Sequence, residues 1–467
     1  MQNLSLEKII DFSGAELLQG DTNLVIKEIV IDSREVNINS LFIAIIGENQ
    51  DGHQYLEDAV ENGAAALIVD REIENDFIND TNISILKVDN TTKALQDIAH
   101  NYRMSFDNLE VIAVTDSAGK TTTKDLIFSV LSQKYKVLKT QGNYNNHIGL
   151  PLTILSLNGN EDIAVLEMGM SGFGEIKRLA EIASPDLGII TNVGPAHLKQ
   201  LGSLENIAAA KKELLDELDA SSHAVLNYDN KYTRDMAQNF PGQVTYFGLK
   251  EGADIRAVNI NYKADQELQE FEMIFKGDKY EFYIEKAGKH NIYNALAAAA
   301  AAFRYGLSSG EIQKGLLNID YSSLRMEVIK IKNNISIIND TYNANPISVK
   351  AAVDVLKDFR GERKILVLAS MLELGKESLS AHREIGRYTA EKGIDILIAV
   401  GKKAFSTAAA AEEAGMRKKC VRRAENKKEA VKILKNMLQK EDTLLIKGSR
   451  ANKMEKITKE LNDKGAL

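Results

Sequence analysis

The stretch VIAVTDSAGKTTTKDL, residues 111–126, decides the fold. An apolar run opening at NLEVIAVT reads as a buried strand. It meets a turn of small residues, then a helix carrying Leu126, Ile127, Val130 and Leu131. The general phosphate-loop pattern G-x-x-x-x-G-K-[ST] fails by one position, because counting back from Gly119 reaches Val114. The physics of such a loop survives that failure. Backbone N–H groups at a helix N-terminus, at the positive end of its dipole, favour phosphate. Lys120 would reach terminal phosphates, and Thr121 would offer its hydroxyl to Mg²⁺. Taken alone, the stretch reads equally as an ordinary strand–helix turn.

Its neighbours weigh against that. KVLKT, DIAVLEMG, DLGIITNVG and HAVLNYDN read as further strands separated by helical patterns, the signature of a parallel sheet covered on both faces. Ligands of open α/β sheets bind outside the carboxyl ends of the strands. Glu167 closes IAVLE, and His197 closes TNVGPAH just after another strand. Three strand ends would thus deliver a lysine–threonine loop, a carboxylate and an imidazole to one crevice. A surface glutamate and a hydrogen-bonded loop histidine are the plain alternatives.

Texture divides the 467 residues into three parts, expected at 1–107, 108–321 and 322–467. The first mixes short apolar runs with amphipathic stretches and ends in a helix over TTKALQDIAHNYRMSF (91–106). In the second, the loose alternation of IRAVNINYKADQELQEFEMIFKGDKYEFYIE predicts short antiparallel strands. In the third, ISIIND, KILVLAS, IDILIAVG and DTLLIKGS predict another doubly wound unit, without the G-x-G-x-x-G of a nicotinamide site. A net charge of −8 argues against a broad nucleic-acid surface; the basic cluster MRKKCVRR (416–423) reads as solvated surface. One cysteine, Cys420, excludes an intramolecular disulfide and suits a reducing cytosol. The start shows no signal peptide, and the longest apolar run, ALAAAAAAF (295–303), is too short to span a bilayer.

Taken together, TDSAGKTTTK, GNYNNHIGLPLTIL, LEMGMSGFGEI, TNVGPAHLKQLGS, AAAKKELL and GKHNIYNALAAA resemble the Mur ligase family. So do DSREV, LFIAIIGENQDGHQY and AVENGAAALIV before them, and INDTYNANPISVKAA, MLELGKES and LLIKGSR after them. DTYNANP and NYNNHIGLP point to the branch that adds D-alanyl-D-alanine to UDP-N-acetylmuramoyl-tripeptide. The resemblance implies an α/β protein of three domains, each with a mainly parallel sheet: a small UDP-binding domain, a phosphate-loop ATPase-like centre and a Rossmann-like C-terminal domain. It implies a cytoplasmic, ATP- and Mg²⁺-dependent, ADP-forming ligase, commonly monomeric, working through an acyl phosphate.

Residue by residue, the resemblance assigns Asp116, Ser117, Ala118, Gly119, Lys120, Thr121 and Thr122 to ATP. It adds Asn291, Asn294, Arg325, Asp340, Tyr342 and Asn345, with Asn343 nearby. Asn291 has a plain alternative as a helix N-cap. Lys120, Glu167, His197 and Lys211 are implied to be catalytic. Thr121 and Glu167 would bind one Mg²⁺, and Glu167 and His197 a second. Lys211, rather than its neighbour Lys212, matches the lysine that the family carbamylates for the metal. Ser33, Arg34, Asp51, Gly52 and His53 match the uridine-side segments, and Asn143, Asn145 and Asn146 the peptide side.

Asp116 departs from the family's loop glycine, with two expected costs. Its Cβ would strain a backbone suited to glycine, and its carboxylate would repel ATP phosphates by about 4 kcal/mol at roughly 4 Å and an effective dielectric of about 20. Ala369 and Ser370 replace Gly-Asp of a GDM motif, and Leu324 stands where a glycine precedes Arg325. A weakened or non-catalytic paralogue that still binds UDP-peptide therefore stays open. Another amide ligase of this fold, of folylpolyglutamate or cyanophycin type, is disfavoured by DTYNANP and the DSR and DGH segments.

Overall fold

The strand Glu110–Thr115 lies inside a nine-stranded sheet, and its position places everything that matters for the site. The structure, a computed structural model, describes residues 1–73, 78, 81–263 and 268–463. From the outer edge the sheet runs Asp278–Ile284, Leu268–Phe275, Ile255–Lys263, Gln243–Gly248, His223–Asn227, Leu187–Ile190, Glu110–Thr115, Ile163–Glu167 and Val137–Lys139. From Ile255–Lys263 through Val137–Lys139 all neighbours are parallel. The three strands at 255–284 pair antiparallel, as their alternation predicts; residues 264–267 of that stretch lie outside the described residues. Register sets Glu167 beside Val114 and Ile190 beside Thr115, so the three loops that follow open side by side.

The helix Lys120–Leu131 packs against Lys289–Arg304. Ala295 and Ala297–Ala302 of the latter are buried. Side chains this small let two helix backbones approach closely, which fixes the seat of the loop above them. Among the described residues, no helix is long and apolar enough to cross a membrane.

Two smaller sheets flank this one along the chain. Glu16–Gln19, Ser84–Lys87, Ala64–Val69, Ser40–Ile43 and Glu28–Val30 form five strands, parallel except for the first pair. The helix Thr91–Met104 buries Leu95, Ile98 and Tyr102 in the same core as the central sheet. Beyond residue 326, Glu327–Ile331, Ile335–Asp340, Thr443–Lys447, Lys364–Ala369, Ile396–Val400 and Val421–Ala424 form six strands, again parallel except for the first pair.

Candidate active site

The loop after Glu110–Thr115 turns into its helix at Gly119, whose φ is +123°. A Cβ there would lie 2.9 Å from Asn294 Oδ1 and 3.0 Å from Asp116 Oδ2. Conformation and space therefore both call for glycine. Asp116 behaves differently from what its sequence position suggests. It is not among the residues with positive φ, so its Cβ meets no glycine-only backbone. Its side chain is completely buried and accepts a hydrogen bond from Thr191 Oγ1 at 2.7 Å. Its carbonyl oxygen accepts from Lys120 Nζ at 2.8 Å and from Lys211 Nζ at 2.7 Å. Against the expected repulsion of phosphate, the carboxylate is buried and its Oδ1 lies 3.7 Å from the Lys120 ammonium, a countercharge the sequence did not announce. Ser117, Ala118, Gly119, Lys120, Thr121 and Thr122 line a cavity of about 560 Å³, and Asp116 does not.

Thr121 is a buried part of that lining. Its hydroxyl donates to Glu167 Oε2 at 2.8 Å and accepts from an Arg325 amine at 2.9 Å. Asn145 Nδ2 donates to Glu167 Oε1 at 2.7 Å, so both carboxylate oxygens are engaged. Glu167 is itself held by its N–H, which donates to Thr140 Oγ1. A hydroxyl and a carboxylate this close are hard oxygen donors that suit Mg²⁺, which takes one or two carboxylates and completes its shell with phosphate and water oxygens. Among the described residues, no three His, Cys, Asp or Glu side chains converge on a metal position.

The chain closes the cavity from its third part. Leu324, at φ +65°, gives a physical reason for a glycine at that position. Arg325 stacks on the Tyr342 ring at 4.0 Å. Asn345 caps the helix Pro346–Asp358 and donates from Nδ2 to the Ser117 carbonyl at 3.2 Å. Asp340 ends its strand opposite Lys447 and pairs with it. Asn291 lies inside the helix that Gly288 caps, which corrects the N-cap alternative; its amide donates to the Ala287 carbonyl. Asn294 accepts from Thr123. Asn143 and Asn146 also line the cavity, but Asn146 Oδ1 is occupied by the N–H groups of Ile148 and Gly149.

His197 and Lys211 take partners the sequence did not announce. His197, at φ +58°, lines the cavity and turns Nδ1 to Glu373 Oε2 at 3.2 Å. Lys211 is 1% exposed. Burial, reinforced by the Lys120 charge and opposed by Asp116, holds its amine well below the usual lysine range. Its neighbour Lys212 is partly exposed and pairs with Asp216. In the first part of the chain, Asp51 caps the turn Gly52–Tyr55 and is paired with His53 and Arg71. A Cβ on Gly52 would lie 2.7 Å from the Ile45 nitrogen, so only glycine fits there. Ser33 is buried and Arg34 is exposed on Asp32. None of these five residues lines the cavity at the phosphate loop.

Lys286, His290, Lys447 and Glu373 line the cavity and were missed from the sequence. A lysine ending the apolar strand TLLIK was a legible signal, since a buried ammonium demands a partner. Burial brings His290 down to about 4, Asp340 opposing and Lys447 and Lys286 assisting. With the folded value depressed, the unfolded chain binds more protons in that window, so stability there rises with pH. The thermal midpoint is accordingly expected to fall as pH drops from 6.5 to about 4. His290→Gln should flatten that part of the slope in parallel melts; an identical slope would refute it.

With this geometry in view, the comparisons are specific. Residues 25–103 match the model for the Mur ligase family catalytic domain, 114–302 the Mur ligase middle domain, and 324–450 the Mur ligase glutamate ligase domain. The chain belongs to the Mur ligase family. It is 39% identical to the UDP-N-acetylmuramoyl-tripeptide--D-alanyl-D-alanine ligase of Bacillus subtilis (strain 168), over 94% of this chain and 93% of that one. A crystal structure of MurF from Acinetobacter baumannii superposes with a TM-score of 0.91 at 31% identity, covering 99% of each chain. MurF from Thermotoga maritima, solved in complex with ADP, gives a TM-score of 0.81 at 28% identity, covering 93% of this chain and 97% of that one.

Proposed function

We propose that this chain is an ATP-dependent, ADP-forming ligase that joins D-alanyl-D-alanine to UDP-N-acetylmuramoyl-tripeptide, a cytoplasmic step of peptidoglycan precursor synthesis. The observation that carries the reading is the Thr121–Glu167 pair at the mouth of a phosphate loop, faced by Arg325 from the third part of the chain. The full-length relatives of that activity support the substrate pair.

In this reading the tripeptide's terminal carboxylate attacks the γ-phosphorus of ATP, and ADP leaves. The amine of D-alanyl-D-alanine then attacks the acyl phosphate, and the tetrahedral intermediate collapses to amide and phosphate. Crowded negative charge is the obstacle, so positioning and neutralisation supply the catalysis. Lys120 and the loop amides of residues 117–122 hold the β- and γ-phosphates. Arg325 approaches from the opposite wall, and Asn291, Asn294, Asp340, Tyr342 and Asn345 border the nucleotide. Thr121 and Glu167 would hold Mg²⁺, with His197 and Lys211 as candidates for a second ion. Bound Mg²⁺ would neutralise phosphate charge as it develops. Asn143, Asn145 and Asn146 face the peptide. Ser33, Arg34, Asp51, Gly52 and His53 hold the uridine end, arginine suiting a diphosphate by charge and geometry. Closure of the third part over the site excludes water from the acyl phosphate.

A non-catalytic paralogue loses its main support, because the Asp116 carboxylate is buried, bonded to Thr191 and not part of the cavity lining. Phosphate release with ATP, Mg²⁺, UDP-N-acetylmuramoyl-tripeptide and D-alanyl-D-alanine, omitting each in turn, tests the reading. Release that needs every component is expected; release indifferent to the dipeptide would refute it. Lys211 provides a second test. Burial favours the uncharged amine of Lys211, the form that captures CO₂, and the resulting carbamate would supply an anionic oxygen for Mg²⁺. Lys211→Ala is expected to lose most turnover and regain part of it with added short carboxylates. Unimpaired turnover would sink that assignment.

A further inference from the structure

The second substrate carries an α-ammonium, with an ordinary pKa of about 8, into a cavity already crowded with cations. Four carboxylates line that cavity: Glu167, Glu175, Asp340 and Glu373. Glu167 is committed through both oxygens to Thr121 and Asn145. Asp340 is committed to Lys447. Glu175 caps its own turn, with Oε2 accepting from the Ser171 N–H. Glu373 differs. Its side chain is 60% exposed and Oε2 lies 3.2 Å from His197 Nδ1; Glu175 is exposed too, so what sets Glu373 apart is its place beside His197 on the third part of the chain.

The backbone beneath this carboxylate is held from several sides. Glu373 has φ +62°, a conformation costly for a non-glycine residue and kept only where the surroundings impose it. Its carbonyl accepts from the Lys199 N–H at 3.3 Å. One residue earlier, the Leu372 N–H donates to Ser449 Oγ. Before that, the Met371 N–H donates to Nε2 of buried His382, whose Nδ1 faces the Ser378 carbonyl. The loop therefore fixes the backbone from which this carboxylate enters the lining of the cavity.

We propose that Glu373 receives the ammonium of the incoming D-alanyl-D-alanine and so positions the amine, which becomes the nucleophile once one proton passes to this carboxylate or to water, an assignment that rests on the ligase reading above. Glu373 selects dipeptides with a free amino group. It lies in the third part of the chain, while Lys120 and Thr121 follow one strand of the central sheet and Glu167 ends another.

The test is Glu373→Gln in steady-state assays with ATP, Mg²⁺ and UDP-N-acetylmuramoyl-tripeptide. Loss of one charge-assisted hydrogen bond predicts a rise in the dipeptide KM of about 10- to 100-fold. KM for ATP and for the UDP-peptide should stay within about twofold, and kcat at saturating dipeptide should fall far less than the dipeptide kcat/KM. Glu373→Asp should recover part of the loss. D-lactoyl-D-alanine, with a hydroxyl in place of the amine, should inhibit wild type and Glu373→Gln equally. An unchanged dipeptide KM, a common rise in all three KM values, or an equal loss of D-lactoyl-D-alanine binding would overturn the assignment. Wild-type protein that releases no phosphate with all substrates present overturns the ligase reading and this inference together. Wild-type turnover with an unaffected variant overturns only the role of Glu373.

Discussion

Lys120→Ala is expected to lower kcat by roughly 10³-fold, the upper end of what removing one preorganised charge-stabilising donor costs, while leaving the fold intact. The ammonium rests on the Asp116 carbonyl, which Lys211 also contacts, so that oxygen keeps a donor in the variant. Loss of Lys120 also removes a charge that, after burial, disfavours protonation of Lys211. The thermal midpoint should therefore move little while phosphate transfer collapses. Lys120→Arg should not rescue it, because a planar fork cannot replace a compact ammonium among phosphate oxygens. Turnover of Lys120→Ala within tenfold of wild type would remove the loop from the phosphoryl transfer.

Asp116→Ala carries the second large effect, and in the direction opposite to the repulsion its sequence position suggests. The carboxylate is fully buried, accepts from Thr191 and lies 3.7 Å from the Lys120 ammonium. Removing one partner of a buried charge cluster typically destabilises by about 3–5 kcal/mol. Thermal melts should show a drop of several degrees. Asp116→Asn, which keeps an acceptor for Thr191 but not the charge, should fall in between. The contrary result would be an Asp116→Ala protein of undiminished stability with a lower KM for ATP. That would restore the carboxylate to the cavity as a repulsive element.

These two residues also show how far the sequence reached. Strand identity, sheet type and the convergence of the loop with Glu167 were readable because buried parallel strands are continuous apolar runs, and ligands bind at their carboxyl ends. The antiparallel strands at 255–284 followed from alternation alone. Direction was not readable: no pattern says whether the Asp116 carboxylate faces the ligand or the sheet, and only the placement of Thr191 from another strand decides it. Contacts between residues about two hundred positions apart were equally hidden. Asn345 reaching Ser117, Arg325 reaching Thr121 and Glu373 reaching His197 depend on how the third sheet is set against the second. Lys286 and His290 sit within ordinary polar stretches, and packing alone turns them inward.

The hydrogen bond from Arg325 to the Thr121 hydroxyl has a thermodynamic consequence. The same hydroxyl is the group that would meet a nucleotide-bound cation, so the guanidinium acts as a tethered competitor for it. Nucleotide affinity measured on the whole chain then contains the free energy of moving the arginine from hydroxyl to phosphate. The apparent constant is the intrinsic one divided by the fraction of molecules in which that exchange is possible. In the proposed reading Arg325 would be both gatekeeper and eventual ligand, one side chain pulling on binding strength and catalytic competence in two directions.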